Sequence, residues 1–409
     1  MPRLAYLISR YPSISHTFIL REVRGLRSLG LEIETASINA PDRGPDALNE
    51  EEREEALRTF CVKRQPAFAI LLAVSRAALR HPLGLLSAVA LTFRLAGWDA
   101  KSWIRRVFYL LESIVVGDWM RRNSLDHLHV HFATPAATVA LFVKRIFHLP
   151  FSLTVHGPDE FYEVGEYHLA EKIVEASFLC CIGSYCRSQL MKLSPVNEWS
   201  KLEIAPLGVD SDYSQGGTSA AAAGSTILCL GRLVPAKGQA ILLQALALLR
   251  GRNRAASLVI AGDGPDRPRL EQLASDLALG ESCRFIGAVD PAKVRTLMAE
   301  SSLFVLPSFA EGIPVVLMEA MAMGVPCIST TVNGIPELIE SGREGLLVPP
   351  SDAQALSAAI ELLLDGSELR SAVTLAAREK IRLKYNLHDN VRRLAEVFTR
   401  RLQVELNQR

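Results

Sequence analysis

Short apolar runs alternate with amphipathic stretches along much of this chain. Leu4 to Ser9 reads as a buried strand, Thr17 to Leu29 as a helix that ends at Gly30, and Leu31 to Ile38 as a second strand. The same alternation of short strands and helices recurs in the C-terminal half. The pattern therefore predicts an α/β protein whose parallel sheets carry helices on both faces.

The length and composition predict two domains. A chain of 409 residues with 49% hydrophobic residues can bury two separate cores. Residues 211–225 are rich in glycine, serine and alanine, which is typical of a linker. We therefore expect an N-terminal domain at 1–210, a C-terminal domain at 226–388, and a last helix at 389–409 that packs back on the N-terminal domain.

Residues 61–125 differ from their surroundings and predict a basic, helical insert. Ten lysines and arginines stand against three acidic residues, and the segment holds Trp98, Trp103 and Trp119. Its apolar runs fall short of the roughly 20 residues that a membrane span needs. The combination favours contact with an anionic membrane surface. The alternative is an insert that packs on the first domain and covers it with its arginines.

The overall charge narrows the choice of partners. The 45 basic and 44 acidic residues give a net charge of +1, so no global field favours nucleic acid.

Seven cysteines without a CxxC pair favour a reducing compartment, and the stretch from Met1 to Arg10 is too short for a signal peptide. We expect a cytoplasmic protein that the insert brings to the inner face of the plasma membrane.

The stretch from Phe309 to Pro326 carries the first candidate site. It follows a buried strand at residues 302–308, and Pro314 fits the first position of a helix that ends near Gly324. The N–H groups near Gly312 and Ile313, at the start of such a helix, favour binding of an anion. Gly312 has no side chain, so the backbone can approach that anion closely. This pattern predicts a phosphate site.

Two glutamates flank this predicted phosphate site. Glu311 precedes the helix, and Glu319 lies about five residues inside it, which is roughly 7–8 Å along the axis. One carboxylate can reach a sugar hydroxyl and the other a ribose diol on either side of a diphosphate. The alternative is that Glu311 only interacts favourably with the helix dipole and that Glu319 is a solvated residue on the helix surface.

Two cations and two glycine turns extend the same site. Gly231 and Arg232 end a predicted strand, and Lys237 follows five residues later. Arginine offers planar bidentate contact to a diphosphate, and lysine offers a point charge. Gly262 and Gly264 form a turn after another predicted strand, although such turns occur in many βα repeats.

The loop after the first strand is a candidate acceptor site. It contains no glycine where a dinucleotide-binding domain would carry GxGxxG, which argues against a dinucleotide here. Ser13, Ser15 and His16 lie at the carboxyl end of a strand, where open α/β sheets bind ligands. The alternative is that Ser15 or His16 only caps the following helix.

Histidines at two further strand ends are candidates as well. His156 ends a strand and is followed by glycine, and imidazole can hydrogen-bond a sugar hydroxyl in either tautomer. Asp159 lies in the same loop. His131 is the last of three alternating histidines on one strand; a metal site is the competing interpretation, but nothing in that segment completes a ligand set, so we predict no metal site.

Several of these motifs resemble one known family. Glu311 and Glu319, eight apart around Gly-Ile-Pro, resemble the paired glutamates of retaining GT-B glycosyltransferases of family four, the glycosyl transferases group 1. The Gly-Arg-x4-Lys-Gly order at residues 231–238 is similar to that family too. The opening Ser-Arg-Tyr-Pro-Ser-x-Ser-x-Thr-Phe-Ile resembles its exopolysaccharide enzymes of the colanic-acid and amylovoran type.

The resemblance implies two facing Rossmann-like domains, with the donor on the second and the acceptor on the first. It implies that Glu311 contacts the donor sugar, that Glu319 contacts the ribose, and that His156 lies beside the reacting face of the sugar. It further implies retention at the anomeric carbon, with no protein nucleophile and no cofactor or metal.

The expected function is therefore a hexosyltransferase that moves a sugar from a nucleoside-diphosphate sugar to a hydroxyl of a lipid-linked saccharide in polysaccharide synthesis. Two alternatives stay open at this point. One is a GT-B nucleotide-sugar epimerase, which needs no acceptor surface. The other is a non-catalytic, nucleotide-binding partner of a polysaccharide synthase complex.

Overall fold

The computed structural model describes residues 3–96, 99–210, 213 and 224–407. The chain divides into two compact units: residues 1–205 with 391–409, and residues 206–390. Most of the linker predicted at 211–225 lies outside the described residues.

The N-terminal unit contains a parallel sheet of seven described strands in the order β3-β2-β1-β4-β5-β6-β7. This order follows the pattern of a doubly wound fold, in which the strand order reverses between β1 and β4. The strands are β1 Leu4–Arg10, β2 Ile33–Asn39, β3 Phe60–Cys61, β4 His127–His131, β5 Phe151–Val155, β6 Leu179–Cys181 and β7 Leu202–Ile204.

Helices connect these strands. Their apolar side chains recur at helical spacing, so one side of each helix can pack on the sheet. They are α1 Thr17–Ser28, α2 Glu50–Arg58, α3 Ala67–Arg80, α4 Pro82–Ala96, α5 Ala100–Arg122, α6 Pro135–Phe147, α7 Asp159–Tyr162, α8 Leu169–Glu175 and α9 Ser184–Lys192. The first helix ends one residue earlier than expected, with Leu29 as its C-cap and Gly30 next at φ +89°.

The C-terminal unit contains a parallel sheet of six described strands in the order β10-β9-β8-β11-β12-β13. Its strand order reverses between β8 and β11. The strands are β8 Thr226–Leu230, β9 Ser257–Ala261, β10 Cys283–Gly287, β11 Leu303–Leu306, β12 Cys327–Thr330 and β13 Leu346–Val348. Both sheets are therefore parallel and doubly wound, as the sequence pattern predicts.

The remaining helices lie in the C-terminal half of the chain. They are α10 Gln239–Gly251, α11 Arg267–Asp276, α12 Pro291–Glu300, α13 Val315–Met323, α14 Ile335–Leu338, α15 Ala353–Asp365, α16 Ser367–Lys384 and α17 Leu387–Asn407. From Val391 onward, α17 belongs to the N-terminal unit. There Phe398 is fully buried and contacts Tyr6, His129 and Phe178.

The segment at 61–125 is helical, and one side of it packs on the N-terminal core. Ala73, Ala88 and Val116 are buried in the same cluster as α6. Trp119 is buried as well and stacks on Phe60 with ring centroids 5.1 Å apart, so its place is in the core rather than at a lipid interface. Trp98 lies outside the described residues.

Within the described residues, no single helix is long and apolar enough to cross a membrane. The pair Ala67–Arg80 and Pro82–Leu95 passes that test together by length and composition only, with a bend of 110° between them.

Candidate active site

The predicted phosphate site lies at the point where the second sheet reverses its strand order. The loop after β8 carries Arg232 and Lys237, and the loop after β11 carries Glu311. Because β8 and β11 are neighbours and parallel, both loops leave the same edge of the sheet. Open α/β sheets bind their ligands at this edge.

An ion pair joins the two loops. The Lys237 ammonium donates to Glu311 Oε1 at 2.6 Å, and the Ser308 hydroxyl donates to the same oxygen, also at 2.6 Å. The Glu311 side chain is about 8% exposed and that of Lys237 about 25%. A carboxylate this buried is held in one place by its two donors, so its second oxygen keeps acceptor capacity for a ligand.

Glycines allow the loops to approach each other. Gly238 has φ +64°, and a Cβ there would lie 2.1 Å from the carbonyl oxygen of Pro307. Gly262 has φ +135°, and a Cβ there would lie 2.0 Å from the carbonyl oxygen of Gly231. Only glycine fits these two positions, which hold the loops that carry the cations.

The helix after the loop begins one residue later than predicted. Pro314 is the N-cap of α13, with φ −73° and ψ 117°, and the first helical residue is Val315. No side chain caps this end, so the first-turn N–H groups are not taken up by a cap. The helix ends at Gly324 in the left-handed conformation, as expected.

Four more predicted donor residues belong to this region. Ile313 is 5% exposed and Glu319 is 8% exposed, so neither is a solvated surface residue. Arg232 is exposed, and none of the carboxylates in the described part of the chain pairs with its guanidinium. Gly264 packs against the loop of Arg232, since a Cβ there would meet the carbonyl oxygen of Leu233 at 2.3 Å. The structure thus brings the predicted donor loops to one edge.

The N-terminal sheet places a different group of side chains at its own reversal point. His131 ends β4, and its Nδ1 lies 3.0 Å from Nε2 of His156, which follows β5. The other ring nitrogen of His131 lies 3.1 Å from Glu22 on α1. The ring of His16 contacts Phe132 with centroids 5.0 Å apart, and Phe132 contacts His156 at 4.4 Å.

The electrostatics of this edge favour neutral rings. Burial, reinforced by the neighbouring His131, lowers the pKa of His156 well below its usual value. Burial lowers the pKa of His129 in the same way, with His131 again the next cause. Burial also raises the pKa of Glu160 to about 7, against backbone N–H donors from Ala133, Gly157 and His156 that lower it.

Three predicted acceptor residues, Ser13, Ser15 and Asp159, lie in the loops of this edge. The Ser13 hydroxyl donates to Asp42 at 2.8 Å, and the Ile14 N–H donates to the same oxygen at 3.0 Å, so this serine orders its own loop. The side chain of Ser15 lies outside the described residues. Asp159 is exposed at the start of α7.

His16 is the N-cap of α1, but its side chain makes no capping hydrogen bond. The capping alternative raised for His16 therefore has no support in the structure.

Sequence reasoning missed three residues of these two edges. Glu22 and Glu160 are buried carboxylates, and Ser308 is a fully buried hydroxyl. Glu160 lies four residues after His156, and its carboxylate accepts from the backbone N–H groups of that loop. An acidic residue following a strand-end histidine at this spacing was the available signal. Nothing local to Glu22 indicates that it reaches His131.

The histidines of β4 lie beside a carboxylate that their own segment does not contain. Glu22, His129 and His131 place ligand atoms within 4.8 Å of one another, so a carboxylate does reach the histidines from a distant helix. Both ring nitrogens of His129 are engaged, with Ser152 at 2.8 Å and Thr154 at 2.9 Å. Each ring nitrogen of His129 and His131 therefore has a hydrogen-bond partner, which fits a network better than a ligand set.

Comparison with known families identifies the C-terminal half. Residues 220–380 match the family described as glycosyl transferases group 1. Arg232, Lys237, Glu311 and Glu319 all lie inside the matched stretch.

Relatives extend the similarity over the whole chain. The chain is 27% identical to WcaL of Salmonella typhimurium, a glycosyltransferase named for colanic acid biosynthesis, over 97% of this chain and 99% of the relative. It is 36% identical to AmsK of Erwinia amylovora, named as an amylovoran biosynthesis glycosyltransferase, over 42% of this chain and 44% of the relative.

A solved structure shares the fold. The crystal structure of HepE from Anabaena in complex with UDP and glucose aligns with a TM-score of 0.74, covering 98% of this chain and all of that one, at 18% identity. This likeness concerns the arrangement of strands and helices.

Proposed function

Because residues 220–380 match the glycosyl transferases group 1 family and the chain is a glycosyltransferase with the GT-B fold, we propose that its donor is a nucleoside-diphosphate sugar. The sugar passes to a hydroxyl of a saccharide acceptor with retention at the anomeric carbon. The relatives named for colanic acid and amylovoran synthesis support a role in making an exopolysaccharide on a lipid-linked acceptor.

One observation carries the donor assignment: the pair formed by Lys237 and Glu311 at the reversal point of the C-terminal sheet. A lysine ammonium beside an uncapped helix N-terminus supplies positive potential for a diphosphate. The glutamate next to it supplies an acceptor for a sugar hydroxyl. The same few side chains therefore offer a complementary group to each end of an activated sugar.

The chemistry follows from charge. As the glycosidic bond breaks, negative charge builds on the β-phosphate oxygen. Arg232, Lys237 and the N–H groups at the start of α13 are fixed donors that stabilise this charge as it develops. Glu319, on the same helix, takes the ribose, and the departing phosphate assists deprotonation of the acceptor. The proposal assigns no cofactor and no protein nucleophile.

A donor screen tests the proposal. UDP-, GDP- and ADP-sugars are incubated with lipid-linked saccharide acceptors, and release of nucleoside diphosphate and the anomeric configuration of the product are measured. The proposal predicts acceptor-dependent release with one donor and a retained configuration. An epimerised sugar nucleotide formed from donor alone, or nucleotide binding without any transfer, would overturn it.

We propose in addition that the outer face of the insert docks on an anionic membrane. Exposed apolar side chains lie on its three consecutive helices: Phe68, Leu71, Leu79, Leu83, Leu86, Phe93, Ile104, Val107 and Phe108. Exposed apolar surface of this extent on adjacent helices is typical of an interaction site.

Charge on the insert supports an anionic lipid as the occupant. Most of its arginines are engaged, for example Arg76 with Asp118 and Arg105 with Glu166. Arg80 and Lys101 are exposed, and the described residues offer them no carboxylate partner. Cations beside exposed apolar side chains complement anionic head groups over an apolar interior.

Co-sedimentation with vesicles of anionic phospholipid at low salt tests this docking. Wild-type protein is expected to sediment with the vesicles, and the double variant Leu79→Ser and Leu83→Ser is expected to lose most of that binding. Leu375→Ser, which changes an exposed leucine of the C-terminal unit, is the matched control and should bind as wild type does. Equal binding by the double variant, or concentration-dependent self-association instead of lipid binding, would overturn it.

A further inference from the structure

Three side chains of the N-terminal unit form a hydrogen-bonded chain that ends at His156. Glu22 Oε1 lies 3.1 Å from Nε2 of His131, and Nδ1 of His131 lies 3.0 Å from Nε2 of His156. Glu22 is 6% exposed and His131 is fully buried. Glu22 and His131 are 109 positions apart in the sequence, and His131 and His156 are 25 apart, so only the fold brings them together.

The direction of the first link follows from the chemistry of its donors and acceptors. A glutamate carboxylate only accepts hydrogen bonds. The Tyr6 hydroxyl donates to Glu22 at 3.1 Å, and burial raises the pKa of this tyrosine well above its usual value, so it keeps its proton. The carboxylate therefore also accepts from Nε2 of His131, which fixes the hydrogen of that ring on Nε2.

The direction of the second link follows from the first. A His131 ring whose one hydrogen lies on Nε2 has a lone pair on Nδ1. A single hydrogen lies between that atom and Nε2 of His156, and His156 must supply it. His156 then has a lone pair on its remaining ring nitrogen, Nδ1, which has no hydrogen-bond partner among the described residues.

We propose that Glu22, acting through His131, holds His156 in the Nε2–H tautomer and so leaves its Nδ1 as a hydrogen-bond acceptor for a substrate hydroxyl. Glu22 and His131 are then positioning residues, while His156 is the residue that contacts the sugar. This inference rests on the proposed function and on the place beside the sugar that the family resemblance implies for His156.

Aromatic packing fixes the orientation of the same ring. The centroid of His156 lies 4.4 Å from that of Phe132 and 5.1 Å from that of Phe18. Phe132 has φ +69°, a conformation that a bulky residue seldom adopts. Such backbone strain persists where the surrounding structure imposes it, and it is concentrated at functional sites. The ring of His156 is therefore held both by its proton chain and by its neighbours.

Nitrogen NMR of the histidine rings tests the proton arrangement directly. Protein labelled with ¹⁵N at its histidines reports which ring nitrogen of each residue is protonated, and a His156→Asn sample assigns the His156 signals. The inference predicts that His156 is protonated on Nε2 alone and that His131 is protonated on Nε2. A His156 ring protonated on Nδ1, or a doubly protonated His131, would overturn it.

Two variants separate positioning from simple destabilisation. In Glu22→Leu no acceptor faces Nε2 of His131, so the hydrogen of that ring is no longer held there and the Nδ1–H form of His156 should appear. Tyr6→Phe is the matched control, because it removes another donor from the same carboxylate oxygen but leaves the imidazole chain intact. It should keep the wild-type tautomer. An unchanged tautomer in Glu22→Leu would overturn the inference.

Kinetics with an active donor complete the test. Glu22→Leu is expected to lower kcat about tenfold while KM for the sugar nucleotide stays within twofold, since other loops bind the nucleotide. A rise in KM without a fall in kcat would overturn the positioning role. If no donor is turned over by wild-type protein, the proposed function fails, but the tautomer measurement still tests the proton chain on its own.

Discussion

The two sheets of this protein use the same edge in opposite ways. At the reversal point of the C-terminal sheet, Arg232 is exposed, and Lys237 is partly exposed and pairs with Glu311. At the reversal point of the N-terminal sheet, His131 and His156 are buried, and His156 is held neutral. One topology therefore supports two chemistries: fixed charge suits a diphosphate, and neutral rings in a directed hydrogen-bond chain suit the orientation of a hydroxyl.

The largest effect is expected from removing the charges of the C-terminal edge. Lys237→Ala and Glu311→Ala should each lower turnover about 10²-fold or more, which corresponds to ~2.7 kcal/mol of transition-state stabilisation. Lys237→Ala also leaves Glu311 buried without its cation. Steady-state kinetics on each variant, with circular dichroism to show that the fold persists, measures the effect.

The control for that pair is Lys293→Ala, which removes an exposed lysine of the same unit. Its turnover should match that of wild type. Wild-type rates in both Lys237→Ala and Glu311→Ala would contradict the assignment of this edge.

A smaller effect is expected from changing the loop backbone without touching any charge. Gly238→Ala places a methyl group 2.1 Å from the Pro307 carbonyl at a φ of +64°, so the loop must move or strain. We expect a loss of about 2 kcal/mol in the free energy of unfolding. Chemical denaturation measures it. Gly251→Ala, where a Cβ meets nothing within 4 Å, is the control, and an equal loss in both variants would refute the packing argument.

The smallest effect concerns the neutral rings of the N-terminal edge. His129 has a pKa held well below 6.5 by burial and then by His131, so the unfolded chain binds a proton near pH 6.5 that the folded chain does not. Stability should therefore fall as pH drops below about 6.5, by at most ~1.4 kcal/mol per pH unit for this group. Thermal unfolding from pH 7.5 to 5 measures the slope.

The His129→Asn variant isolates that contribution, because it removes the titrating ring. Its stability should depend less steeply on pH below 6.5 than that of wild type. Glu160, with a pKa raised to about 7, acts in the other direction and loses its contribution as pH rises towards 7, but it is present in both proteins. Identical slopes would show that His129 is not held neutral.

The sequence indicates the C-terminal edge well because its chemistry is local. Glu311, Gly312 and Glu319 lie within nine residues, and the strand before them identifies the sheet edge. The parallel strand order also followed from the alternation of strands and helices. The ion pair between Lys237 and Glu311 could not be predicted from the sequence, because it depends on β8 and β11 being neighbours in the sheet.

The N-terminal edge was only partly predictable for the same reason. His131 and His156 could be found at strand ends, but Glu22 lies on a helix with nothing in its own segment to mark it. Its role appears only when α1 packs beside β4. The tryptophans of the insert show the converse limit, because composition alone cannot tell that Trp119 packs in the core while Phe68 stays exposed.

Binding of nucleotides by isothermal titration calorimetry tests the central claim most directly. UDP and GDP are each compared with the corresponding monophosphate on wild-type protein, on Arg232→Ala, and on Arg254→Ala as an exposed-arginine control. The account predicts that one diphosphate binds at least about tenfold tighter than its monophosphate, ~1.4 kcal/mol, and that Arg232→Ala alone removes most of that difference. Equal affinity for diphosphate and monophosphate, unaffected by Arg232→Ala, would contradict it.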